Sequence, residues 1–147
     1  MIAENLKVLL ATSFTFYLKS HKFHWNVMGQ DFAEYHEFFG GIYEEVYGSI
    51  DTYAETIRTV GEMSPGSLIE FAELSEIDDE ESFISSGMEM ISKLKEDNDV
   101  IITLLKEAFV VSEEEEAYDI SDFISARLAA HKKHGWMISA FMNRQQG

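Results

Sequence analysis

His24 and His36 stand twelve residues apart, and fifteen residues further on come Asp51 and Glu55, an i,i+4 pair of carboxylates. Imidazole nitrogen and carboxylate oxygen together suit iron and other first-row metals. On a helix, residues four apart share a face, so Asp51 and Glu55 present both carboxylates in one direction. Spacing alone leaves plainer readings open. A histidine on a helix is more often a surface or core polar group, and an Asp/Glu pair is usually a solvated face.

Several other chemistries are missing from the residues. The chain has no cysteine, which removes thiolate zinc sites, iron–sulfur clusters and a cysteine nucleophile. None of the five histidines (His21, His24, His36, His131 and His134) has Glu three places before it. The Glu-x-x-His pattern that builds di-iron sites within one helical bundle is therefore absent. Gly40 stands where a His-Glu-x-x-His zinc motif starting at His36 would need its second histidine. There is no Gly-x-Ser-x-Gly nucleophile elbow.

Distance adds a constraint. If one helix carries both His36 and Asp51, they lie about 22 Å apart along its axis. They cannot ligate one ion within one chain. If both are ligands, the site lies between two subunits, and a two-fold pairing makes two equivalent sites.

The elements that must position these residues are helical. Leu6, Leu9, Leu10, Phe14, Tyr17 and Leu18 recur at helical spacing and predict a first helix over residues 2–28, with Gly29 as its C′ residue. Asp31, with Glu34 three places on, is expected to cap a second helix over 31–60, stopped by Gly61 and Ser64-Pro65-Gly66. Residues 67–74 form a short helix in the crossover. Asp78 or Asp79 is expected to cap a third long helix, whose apolar stripe is Phe83, Met90, Ile91, Leu94, Ile101, Leu104, Leu105 and Ala108. Residues 113–116 are a solvated acidic turn, and a fourth long helix begins near Asp119. No strand alternation, repeat or linker occurs. The expected architecture is all-α: one domain over 1–147, a four-helix bundle with a short helix in the crossover between helices 2 and 3. A single long crossover is a feature of ferritin-like bundles.

With 11 basic and 27 acidic residues the formal charge is −16. Such a surface repels phosphate and attracts cations, which argues against duplex DNA and anionic membranes as partners. Lys132 and Lys133 are adjacent, but two lysines make no patch. No stretch approaches the roughly 18 apolar residues of a membrane span. The first residues carry no basic run before an apolar stretch, so no signal peptide is expected and the location expected is cytoplasmic.

The combination His24-Trp25-Asn26-Val27-x-Gly29, Phe32-x-x-x-His36-Glu37 and Asp51-x-x-x-Glu55-x-x-x-x-x-Gly61 resembles the Dps family, the mini-ferritins named as DNA-binding proteins from starved cells. The stretch from Asp122 to Met142, with His131 and Trp136-Met137, is similar as well. The resemblance implies a hollow dodecamer that oxidises Fe(II), with hydrogen peroxide or oxygen as oxidant, and stores the ferric product as non-haem iron. It implies a ferroxidase centre at two-fold interfaces, with His24 and His36 from one subunit and Asp51 and Glu55 from its partner. Trp25 would pack beside that centre and intercept stray oxidising equivalents, or serve simply as an aromatic at a subunit contact. Asp122 would line a three-fold pore. The family usually has an aspartate one turn after the second histidine, where this chain has Gly40, followed by Gly41. That removes a ligand which Glu37 or Glu44 would have to replace. The alternatives to a ferroxidase are a metal-binding cage without turnover and, against the charge, a nucleoid protein.

Overall fold

The computed structural model describes residues 1–84 and 86–146. Their helices are α1 (Ile2–Asn26), α2 (Phe32–Thr59), α3 (Leu68–Leu74), α4 (Gly87–Glu114) and α5 (Tyr118–Gln146), and the described residues contain no strand. The short links at 27–31 and 115–117 close two helical hairpins, α1 with α2 and α4 with α5. The long connection carrying α3 joins them, and α1 packs against α2, α3 and α4. The buried stripes meet in one core. It includes Leu6, Leu10, Phe16 and Phe23 of α1, and Phe39, Ile42, Val46 and Ile57 of α2. Ile91, Leu94, Ile101 and Leu105 come from α4, and Ile120, Ile124 and Ile138 from α5. This is the all-α bundle with one crossover helix that the periodicity implies. Among the described residues, no helix is long and apolar enough to cross a membrane.

The helix ends differ from expectation in four places, one of them the acidic turn expected at 113–116, of which Glu113 and Glu114 belong to the last turn of α4. α1 stops at Asn26, two residues early, and Gly29 adopts φ +93 one residue beyond the C′ position. Asp31 is the N-cap of α2, but it sits in the left-handed region at φ 65 and its side chain accepts no cap hydrogen bond. The extended backbone that aims a cap side chain at the first turn is missing there. Two left-handed residues in so short a link are what reverse the chain. Neither Asp78 nor Asp79 caps α4. Ser86 does, accepting from the Glu89 amide, and Phe83 lies outside the helix and is mostly exposed. The crossover helix is capped as its sequence suggests, by a reciprocal Ser67–Glu70 capping box.

The start of α4 presses on α2. A Cβ at Gly87 would come within 2.6 Å of the Tyr35 ring, which is itself buried. Gly87→Ala should therefore lower stability by about 1–3 kcal/mol despite the better helix propensity of alanine. Chemical denaturation of parent and variant checks this, and an unchanged midpoint would mean that the Tyr35 ring yields freely.

Candidate metal centre

His24 lies in the last turn of α1 and His36 early in α2. The reversal at 27–31 brings them face to face, with ring centroids 3.7 Å apart and planes at 17°. Each ring bonds to the other residue's main chain. His24 Nδ1 donates to the His36 carbonyl at 2.6 Å, and His36 Nδ1 donates to the His24 carbonyl at 2.7 Å. A carbonyl only accepts, so Nδ1 carries the proton in both rings. In the neutral form each Nε2 then holds a lone pair. A metal-ligating histidine is commonly oriented in this way, by a bond from its other nitrogen. The His24 carbonyl is also near the end of α1, where helical carbonyls lack intrahelical partners.

The surroundings are aromatic. Phe32 stacks on His36 at 5.0 Å. Tyr43, one turn after Gly40's neighbour Phe39, lies 5.1 Å from His24. His21 is sandwiched between Tyr43 at 3.8 Å and Trp25 at 3.9 Å, and its Nδ1 is 3.0 Å from the Tyr17 hydroxyl. Burial and the nearby His24 lower the His21 pKa. Trp25 is 59% exposed beside this stack. Gly40 is against the pair too, since a Cβ there would stand 3.4 Å from Cε1 and Nδ1 of His24, an ordinary contact. Glu37 lines a different surface, a groove between α2 and α5 with Phe38, Gly41 and Glu45.

Asp51 and Glu55 are exposed on the far half of α2. Hydrogen bonding with Asp51, and then its like charge, raise the Glu55 pKa. A divalent cation held between the two carboxylates would relieve that repulsion. Among the described residues, no three His, Asp or Glu side chains of a single chain gather where they could hold one ion. The structure thus brings His24 and His36 together and leaves Asp51 and Glu55 apart from them. Asp122 is exposed near the start of α5, close to the exposed acids of 113–116.

A ferritin-like domain family matches residues 3–146. Over 142 residues the chain is 34% identical to the DNA protection during starvation protein of Brevibacillus brevis, covering 97% of this chain and 95% of that one. This chain belongs to the Dps family. A crystal structure of a Dps protein from Bacillus brevis superposes with TM-score 0.91 at 33% identity, over 96% of this chain and 94% of that one. The Dps protein of Vibrio cholerae, described as a member of a superfamily of ferritin-like diiron-carboxylate proteins, shares the fold. Its TM-score is 0.91 at 24% identity, over 96% of this Dps chain and 88% of its own.

A second polar cluster went unnoticed in the sequence. Arg127, His131 and His134 recur at helical spacing on α5 and are buried, together with Asn98 of α4. The Arg127 guanidinium clamps Glu45 of α2 with bonds of 2.6 and 3.0 Å, and His134 Nε2 donates to the same carboxylate at 2.7 Å. The signal available was the 127, 131, 134 polar stripe on a helix face that otherwise carries Ile124 and Ile138 into the core.

Burial first, and then the Arg127 cation, push the His131 pKa down to about 3. The unfolded chain binds a proton at this histidine near pH 6.5 and the folded chain does not. Its contribution to stability is therefore complete above pH 6.5 and is lost progressively as pH falls towards 3. His21, also lowered, acts in the same direction, whereas a carboxylate held low, such as Glu45, enters only below about pH 4.5. His131→Gln should flatten the dependence of the urea midpoint on pH between 6.5 and 4.5. A variant with the parental slope in that window would show that His131 is not its source.

Proposed function

We propose that this Dps-family chain assembles into a closed homo-oligomeric shell, a dodecamer, that takes Fe(II) as substrate, oxidises it with hydrogen peroxide or oxygen, and stores the ferric product. The observation that carries the reading is the His24–His36 pair, whose Nε2 lone pairs are fixed by reciprocal main-chain bonds. Two imidazoles alone are a poor hold for a hard ion, and the chain's own carboxylate pair lies too far along α2 to help. A partner subunit supplies Asp51 and Glu55, giving a nitrogen and oxygen donor set at a two-fold interface. When iron is bound there, its electrons reduce the oxidant, and peroxide is consumed away from the rest of the cell. Imidazole and carboxylate hold the ion, while the aromatic wall of Phe32, Tyr43 and Trp25 limits water around the histidine side.

The acidic surface fits the same role. Its charge of −16 draws cations inward, and Asp122 with its acidic neighbours is placed in our reading at the entrance for Fe(II). The same charge opposes duplex DNA, so protection is by removal of iron and peroxide in the cytoplasm and not by coating nucleic acid.

A second reading is favoured by one observation, the glycine at position 40. Without an aspartate beside His24, the histidine half has no carboxylate of its own, and the shell would bind metal with little turnover. Glu37 faces the α2–α5 groove and does not supply one. Glu44, one turn after Gly40, is exposed.

Stopped-flow oxidation of Fe(II) by peroxide tests both readings. The parent should turn over, and His24→Ala and Glu55→Ala should each slow the reaction at least tenfold, more than His21→Ala does. Equal loss in all three would remove the ligand assignment, and a parent no faster than buffer would leave the binding cage. Gly40→Asp should accelerate oxidation, because the new side chain stands in ordinary contact with His24. It should also add about 0.3 kcal/mol of helix stability, since aspartate is only a slightly better helix former than glycine. An assembled Gly40→Asp shell no faster than the parent would show that the missing carboxylate does not limit the rate.

A further inference from the structure

Where α2 meets α5, an exposed carboxylate and two buried imidazoles make a donor set of their own. Glu45 of α2 and His131 and His134 of α5 surround the Arg127 guanidinium, whose Nη2 lies 3.0 Å from Glu45 Oε1 and 3.2 Å from His131 Nε2. His134 Nε2 is 2.7 Å from the same Oε1. His131 is oriented as a metal-ligating histidine would be. Its Nδ1 donates to Asn98 Oδ1 at 2.9 Å, the Asn98 amide nitrogen donates to the His131 carbonyl at 2.9 Å, and the remaining Nε2 lone pair accepts from the cation. Tyr53, fully buried, interacts with Arg127 and Ser13 and closes the cluster, and Arg127 Nε and His134 Nδ1 have no hydrogen-bond partner among the described residues. Four-helix bundles place their metal ions among such inward carboxylates and histidines.

We propose that Arg127 is a built-in cation plugging a second, latent metal site, whose donors Glu45, His131 and His134 would take a divalent first-row ion such as Co(II) or Zn(II) once the guanidinium is removed. One carboxylate and two imidazoles with a fourth open position is a donor set these ions accept. To reach bonding distances, Glu45 Oε1 and His131 Nε2 must each close on the Nη2 position by about 1 Å. With the guanidinium between them, the three side chains do not form a three-donor cluster among the described residues. An entrance exists as well. A groove of about 490 Å³ between α2 and α5, open beside Gly41, has Glu45 and His134 in its wall. In the parent, the plug confines metal to the surface of the bundle. This assignment does not depend on the iron reading, because it concerns different residues and is tested with a redox-silent ion.

Anaerobic Co(II) titration of the parent shell, Arg127→Ala and Arg127→Ala/Glu45→Gln tests it, read by visible absorption and equilibrium dialysis. Arg127→Ala should bind one more Co(II) per chain than the parent, with a new band of a low-coordinate site, and the double variant should lose both. Co(II) should also raise the melting midpoint of Arg127→Ala more than that of the parent, since the ion replaces a lost buried charge. An Arg127→Ala chain that folds only with Co(II) present supports the proposal equally. Arg127→Gln, whose amide can still bond to Glu45, is the second carrier. Failure of both variants to gain an ion overturns the proposal, and so does a parent that already binds Co(II) in a manner abolished by Glu45→Gln.

Discussion

The two crossed hydrogen bonds between His24 and His36 hold the centre of this molecule together. Each ring spends its Nδ1 proton on the other helix's backbone, so one contact does three things. It ties the end of α1 to the start of α2, satisfies a carbonyl at a helix end, and aims two basic nitrogens in defined tautomers. The link that permits it contains two left-handed residues, Gly29 and Asp31. A chain unable to turn so tightly would separate the rings, and neither the stack nor the crossed bonds would form. Gly40 is part of the same environment, since its missing side chain leaves the edge of His24 bare.

From that clamp the two halves of α2 acquire different duties. The first half carries His36 and the second carries Asp51 and Glu55, separated by roughly four helical turns. Within one chain the halves cannot cooperate on an ion, so in the proposed function the centre is shared between subunits. Where α5 meets α2 the balance runs the other way. Glu45 is held ionised by His134 and Arg127, although burial alone would raise its pKa, and Glu45 in return keeps the buried Arg127 charged.

Much of this was legible in the residues. Helical periodicity and a single proline-marked crossover gave the bundle, because apolar stripes at three- and four-residue spacing can be buried only against each other. The separation of His36 from Asp51 along one helix was legible too, because helix rise is nearly invariant. Helix caps were less legible. Asp31 has a capping residue's chemistry but a left-handed backbone, and several acidic or hydroxylic residues between 78 and 86 competed for the start of α4, which Ser86 takes. The Arg127 cluster was not foreseen because Glu45 and His134 are 89 positions apart, and no local pattern shows which carboxylate a buried arginine will meet. The exchange of Nδ1 bonds was equally hidden, since it depends on how tightly residues 27–31 turn.

The most direct test of a centre shared between subunits is complementation. His24→Ala and Glu55→Ala chains, each inactive in its own shell, are unfolded, mixed in equal amounts and reassembled, and Fe(II) oxidation is compared with the parent. A mixed two-fold pair has one centre with both defects and one with none, so random pairing restores about a quarter of the parental centres. Activity near that fraction is the result the account predicts. A mixed shell no more active than its two components, with assembly verified, would contradict it and place the chemistry within single chains or nowhere on these residues.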